Sequence, residues 1–161
     1  TEITVQNQST ATVVLESEVY WINCEFKENA ASQAGGALAV QDAFVSFESC
    51  QFSHNRALDD GGAVSLKHSE AKITNSVFRN NTATFQSGGG LALALDSQVF
   101  IDNSTFEANA AGYGGALHVG DKSTFSIHNT RFLLNTALQS GGGIFLQNNV
   151  ASTIAIGSYI F

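Results

Sequence analysis

A handful of side chains in this sequence have types and spacings that could support chemistry. Glu48, Asp102 and His128 recur in one phase of a period near 26 residues. Acids gathered on one face in that way are what polysaccharide lyases and hydrolases use. Asp59-Asp60 is a paired carboxylate of the kind that ligates calcium. Four histidines, His54, His68, His118 and His128, could be ligands to a transition metal. Glycine pairs suggest a phosphate-cradling loop. Cys24 and Cys50 could join in a disulfide. Asn7-Gln8-Ser9, Asn80-Asn81-Thr82 and Asn103-Ser104-Thr105 are acceptor tripeptides for N-glycosylation. Each of these depends on what positions it.

What positions them is a repeat. The tetrapeptide Phe-x-x-Asn occurs at Phe26–Asn29, Phe52–Asn55, Phe78–Asn81, Phe106–Asn109 and Phe132–Asn135, with spacings of 26, 26, 28 and 26 between the Phe residues. Two places after each Asn stands an Ala, and shortly afterwards a glycine pair: Gly35-Gly36, Gly61-Gly62, Gly88-Gly89, Gly114-Gly115 and Gly141-Gly142. Five linked copies of two motifs are not coincidence. Within each copy the apolar residues alternate with period two, as strands require. After the glycines, Leu38/Val40, Val64/Leu66, Leu91/Leu93, Leu117/Val119 and Ile144/Leu146 face one way; Ala39, Ser65, Ala92, His118 and Phe145 face the other. No window has the 3.6-residue period of an amphipathic helix. The pattern predicts an all-β parallel solenoid of about six rungs, each 26–28 residues long.

The motif residues then have mechanical work. Phe26, Phe52, Phe78, Phe106, Phe132 and Phe161 are expected to form an inward aromatic stack, at a rung spacing of about 4.8 Å. Asn29, Asn55, Asn81, Asn109 and Asn135 are expected at turns, where Asn tolerates the left-handed conformation and its amide can bond along the stack. The glycine pairs allow positive φ or close backbone approach. Turn lengths vary only between Ala and Gly-Gly and between the two strands, so loops near Leu95–Gln98 and Gln147–Thr153 should project most.

On this frame most of the chemical candidates lose force. Asp102 and His128 fall one rung apart, close enough to pair, but one ion pair on a solvated face is ordinary surface. The outward column after the glycines is small and apolar, without paired carboxylates. The other turns lack an acid to match Asp59-Asp60, and the four histidines fall at different azimuths, so no metal site is expected. Neither a Lys-Ser/Thr nor a helix follows the glycines, which removes the phosphate loop. No catalytic residue and no cofactor is predicted. Cys24 and Cys50 lie on neighbouring rungs with Cα atoms about 4.8 Å apart, inside disulfide range. Their later equivalents, Ser76, Ser104 and Thr130, equally suit a column of small residues. Asn7 and Asn80 are better glycosylation candidates than Asn103, which shares a phase with Asn23, Asn75 and Asn129.

In these motifs the sequence resembles the polymorphic membrane protein (Pmp) family of chlamydial autotransporters, whose passenger domains carry multiple Gly-Gly-Ala-(Ile/Leu/Val) and Phe-x-x-Asn motifs. Here the first reads Gly35-Gly36-Ala37-Leu38, Gly61-Gly62-Ala63-Val64 and Gly114-Gly115-Ala116-Leu117, while Gly90 and Gly143 replace the Ala in two copies. The resemblance spans roughly residues 20–146. It implies a right-handed parallel β-helix displayed outside the cell, doing adhesive or structural work.

Composition narrows the rest. The chain has 161 residues, 43% apolar and 13% charged, with 12 Phe, 15 Gly and no Pro, which excludes disorder and the collagen class. A net charge of −7 argues against a nucleic-acid surface. No run reaches the roughly 20 apolar residues of a membrane span. One solenoid domain is expected over 1–161, with 1–18 a degenerate first rung, 19–149 regular and 150–161 an open final strand, within a longer chain or fibre. An open rung invites association, so the expected partners are further repeats or a second copy bound head to tail, with cell-surface or glycan ligands besides. The expected role is an extracellular, non-enzymatic fibre subunit or adhesin. A polysaccharide-active enzyme is the competing reading.

Overall fold

The computed structural model describes the backbone of residues 3–6, 12–15, 17–147, 151–154 and 159–160, and the side chains of 17–147. The chain winds through four parallel sheets, and every rung visits them in the same order. Leaving a glycine pair it enters a six-stranded post-glycine sheet (Leu38–Gln41, Val64–Lys67, Leu91–Ala94, Leu117–Val119 and Ile144–Leu146, with Thr12–Leu15 at one edge). It next joins a six-stranded second sheet, in which Phe44–Glu48, Glu70–Thr74 and Gln98–Asp102 are central. Then come a seven-stranded Phe sheet and a five-stranded sheet of short strands such as Arg56–Ala57. All pairs between rungs are parallel, and outside one slip in the sheet of short strands they keep register, for example Leu38 with Val64, Val64 with Leu91 and Leu91 with Leu117. The predicted β-solenoid is what the chain forms.

Alternation explains the core. Leu38, Val40, Val64, Leu66, Leu91, Leu93, Leu117 and Val119 are buried from the post-glycine sheet; Val45, Phe47, Ile73 and Ile101 are buried from the second. Between them Phe26, Phe52, Phe78, Phe106 and Phe132 stack almost parallel, with ring centroids 4.6, 4.5, 4.6 and 5.0 Å apart. Phe161 lies outside the described residues. The register nevertheless sets Ile160 opposite Phe132 and Val5 opposite Phe26, so the Phe phase falls on Ile160, one place before Phe161. The segment 150–161 likewise holds two strands, not one. Ala151–Ile154 pairs with the second sheet, and Tyr159–Ile160 with the Phe sheet.

Corners are held by ladders of polar groups. Each motif Asn is buried, and from Asn55 to Asn135 its Oδ1 accepts both the backbone N–H and the Nδ2 of the Asn one rung before, at 3.0–3.1 Å. The same Nδ2 donates to the previous rung's Phe carbonyl: Asn55 to Phe26, Asn81 to Phe52, Asn109 to Phe78, Asn135 to Phe106. The left-handed backbone expected of these Asn residues belongs to their predecessors, Glu28, His54, Asn80, Ala108 and Leu134. A side chain turned inward to bond along the stack leaves the bend itself to the residue before it. In the glycine pairs the first member has positive φ, and the second lies where a Cβ would strike backbone of the next rung, as Gly36 would strike the Gly62 carbonyl.

The Cys column is the small-residue column. Ser76, Ser104 and Thr130 each donate to the carbonyl two residues back and accept the N–H of the rung before. Cys24 and Cys50 follow the same geometry: Cys24 Sγ donates to the Ile22 carbonyl at 3.3 Å, and Cys50 Sγ to the Trp21 and Glu48 carbonyls at 3.3 and 3.4 Å. Both thiols are buried and unjoined; of the two readings, a disulfide and a column of small residues, this geometry follows the column. A further serine column, Ser69, Ser97 and Ser123, plays the same part where the post-glycine sheet turns into the second sheet.

Candidate functional site

The outward column of the post-glycine sheet begins with small residues and ends in rings. Ala39, Ser65 and Ala92 are followed in register by His118 and Phe145. His118 and Phe145 stack with their planes nearly parallel, 9° apart, and their centroids at 5.6 Å, and Tyr113 leans against Phe145 at 5.1 Å. The step from small to large side chains, walled by turns on both sides, makes a cleft of about 520 Å³. Asp60, Gln86, Ser87 and Tyr113 line one bank; Leu95, Gly120, Asp121 and Gln147 line the other.

The banks are where the repeat departs from its own length. From the motif Ala to the first Gly of the pair, Ala83 to Gly88 takes one residue more, and Ala111 to Gly114 one fewer, than Ala57 to Gly61. Across the sheet, Leu93 to Val99 and Val119 to Phe125 are each one residue longer than Leu66 to Ala71. The shortened turn is drawn inward. Gly112 and Tyr113 both donate to the Gln86 carbonyl, at 2.8 and 3.0 Å, and the register slips between Ala111 and Tyr113. Only glycine fits at 112, because a Cβ there would come within 2.7 Å of that oxygen. Tyr113 is thereby turned towards the cleft.

Electrostatically the cleft is acidic and partly dry. Burial raises the Asp60 carboxyl above its ordinary range, opposed by the Ser87 N–H, which donates to Asp60 Oδ1 at 3.1 Å. Burial lowers the His118 imidazole, opposed by the charge of Asp121. His118 is therefore neutral at pH 7, a flat surface with one donor and one acceptor. Carboxylates, amides and rings converging on one groove suit a ligand with both apolar faces and hydroxyls.

Other predicted residues are not brought together. Asp102 and His128 are register partners, but Asp102 Oδ1 accepts from Asn129 Nδ2 at 3.1 Å and His128 Nε2 bonds Ser126 Oγ at 2.8 Å. The expected pair does not form, because Asp102 is taken by Asn129 of the next rung and His128 by Ser126 of its own. Glu48 heads the same column two rungs away. Asp60 belongs to the cleft and Asp59 does not. His54 sits 3.4 Å from Asn80 Nδ2, and His68 lies 3.8 Å from Asp42. No group of three or more His, Cys, Asp or Glu converges among the described residues. Asn80 is exposed, Asn103 donates to Asn75 at 2.7 Å, and Asn7 lies outside the described residues.

Sequence reasoning treated the outward column as featureless and so missed Tyr113, His118, Asp121, Phe145 and Gln147. Two signals were present: a change from small to aromatic at the fourth rung, and turn lengths that depart from the repeat on both sides of it. A family model described as a right handed beta helix region matches residues 2–160. No curated protein and no solved structure matches the chain.

Proposed function

The chain belongs to the right-handed β-helix family, and from that premise we propose that it is an extracellular, non-enzymatic module that supplies a rigid, adhesive surface and stacks end to end with its like. The carrying observation is the in-register rung, in which Phe, Asn and backbone groups of one level are bonded by the same groups of the next. Such a level is a template for another, from further repeats or from a second copy. The Pmp-like motifs and the acidic, lightly charged composition support display outside the cell. Electron microscopy of the secreted protein, with cell-surface labelling, tests the reading. Filaments or rods of stacked copies on the outside are expected; an intracellular monomer would overturn it.

A polysaccharide-active enzyme is the second reading, favoured by the opposed Asp60 and Asp121 in a groove that also holds aromatic rings. Turnover of a glycan by the purified chain, lost in Asp121→Asn, would decide for it. Absence of turnover across a broad panel would remove it.

A further inference from the structure

We propose that the cleft over the post-glycine sheet binds a neutral oligosaccharide. The inference rests on the adhesive side of the reading above and names what would be held. His118 and Phe145 stack on one another as an aromatic platform on the outside of a sheet, where the core does not require them; the equivalent positions on the three preceding rungs are Ala39, Ser65 and Ala92. A half-exposed stack of rings in a concavity offers the apolar carbon it leaves uncovered to the C–H side of a pyranose. Around them Asp60, Asp121, Gln86 and Gln147 offer acceptors and donors for hydroxyls.

Charge selects the class. No Lys or Arg lines the cleft, and two carboxylates do, in a chain of net charge −7. Uronates, sulfated sugars, phosphates and nucleic acids would meet repulsion with no cation to answer it. A bare cation would use the carboxylates and leave the rings idle. Length selects more than one sugar ring, since the lining runs from the level of Asp60 to that of Gln147, three rung spacings or roughly 14 Å. Both banks change length where they flank the platform, and the Gly112 bulge brings Tyr113 to its edge.

The test is saturation-transfer NMR and calorimetry on the whole chain with gluco-, manno-, galacto-, xylo- and N-acetylglucosamine-based tetrasaccharides, and with tetragalacturonate as the anionic probe. At least one neutral tetrasaccharide should bind, and tetragalacturonate should bind at least tenfold more weakly. Phe145→Ala should weaken the neutral ligand at least tenfold, while Phe100→Ala, on the second sheet's outer face, should leave it unchanged. If Phe145→Ala does not fold, Asp121→Asn and Gln147→Ala, on exposed turn positions, carry the test with an expected loss of threefold or more. Binding of no neutral probe, preference for the uronate, or unchanged binding in folded cleft variants would each overturn the proposal. Surface-adhesion assays run alongside keep the two readings apart. Adhesion that survives in the cleft variants overturns the cleft alone, and a wild type that does not adhere overturns the adhesive module.

Discussion

Two azimuths of the same coil behave in opposite ways. Along the Phe and Asn ladders the residue type never changes from Phe26 to Phe132 or from Asn29 to Asn135, the rings stay within 11° of parallel, and each step from one Asn to the next is made by the same bonds. Along the outward face of the post-glycine sheet, small residues give way to His118 and Phe145 while the turns lengthen and shorten beside them. The Phe and Asn columns repeat because each member stacks on, or bonds to, its like one rung away. On the outward face the backbone carries the pairing between rungs, so the side chains there are free to change. Constancy marks the two ladders that hold this solenoid together, and departure from constancy marks the cleft.

The sharpest way to break that comparison is to truncate one ring on each side of it. Phe78→Ala removes a fully buried ring with stacked neighbours on both faces and should cost about 3–5 kcal/mol by urea denaturation. Asn81→Ala takes the acceptor from the Asn55 N–H and Nδ2, and should cost about 2–4 kcal/mol. Phe145→Ala, half-buried on the outer face, should cost under about 1.5 kcal/mol. Equal losses at Phe78 and Phe145 would erase the distinction between ladder and cleft.

A second test uses the cysteines, which belong to the ladder side. Burial pushes the Cys50 thiol up to about 11. At pH 8 the thiolate population, and with it the alkylation rate of the native protein, should fall about two orders of magnitude below a free thiol's. Iodoacetamide labelling followed by mass spectrometry should find Cys50 protected until denaturant is added. Fast native labelling of Cys50 would show that this corner opens, and a Cys24–Cys50 disulfide in protein from its own compartment would contradict the thiol–carbonyl geometry.

These contrasts explain how much was legible in the residues beforehand. The coil, its parallel register and the Phe and Asn columns followed from recurrence, because a ladder residue is repeated by necessity. The Cys column was legible only as two alternatives, a disulfide or a run of small residues, because Cys24 and Cys50 beside Ser76, Ser104 and Thr130 suit both until the thiols are seen donating to the Ile22, Glu48 and Trp21 oxygens. The bend conformation fell one residue from where Asn was expected to supply it, on Glu28, His54, Asn80, Ala108 and Leu134, a set of side chains with nothing in common. The cleft was hidden because its residues occur once each. Tyr113, Asp121 and Gln147 are far apart in sequence, and only the stacking of rungs makes them neighbours.

The smallest expected effect distinguishes the two sides by pH. His118 is lowered by burial, so it holds fewer protons folded than unfolded. Its contribution to stability is present above the unfolded histidine value of about 6.5 and is lost as pH falls through the folded value. Asp60 has the opposite sign: its carboxyl is raised by burial, so its favourable contribution exists at low pH and disappears as pH rises through the folded value. Both groups are partly solvated, which limits each effect to under about 1 kcal/mol. Comparing urea midpoints of wild type and His118→Phe at pH 7.5 and 5.5 isolates the histidine. The variant should lose less stability on acidification than the wild type, with the difference absent in a His54→Phe control. An identical pH response in all three proteins would mean that His118 is as open to water as an ordinary surface residue, and that the cleft floor is not the partly dry surface its packing describes.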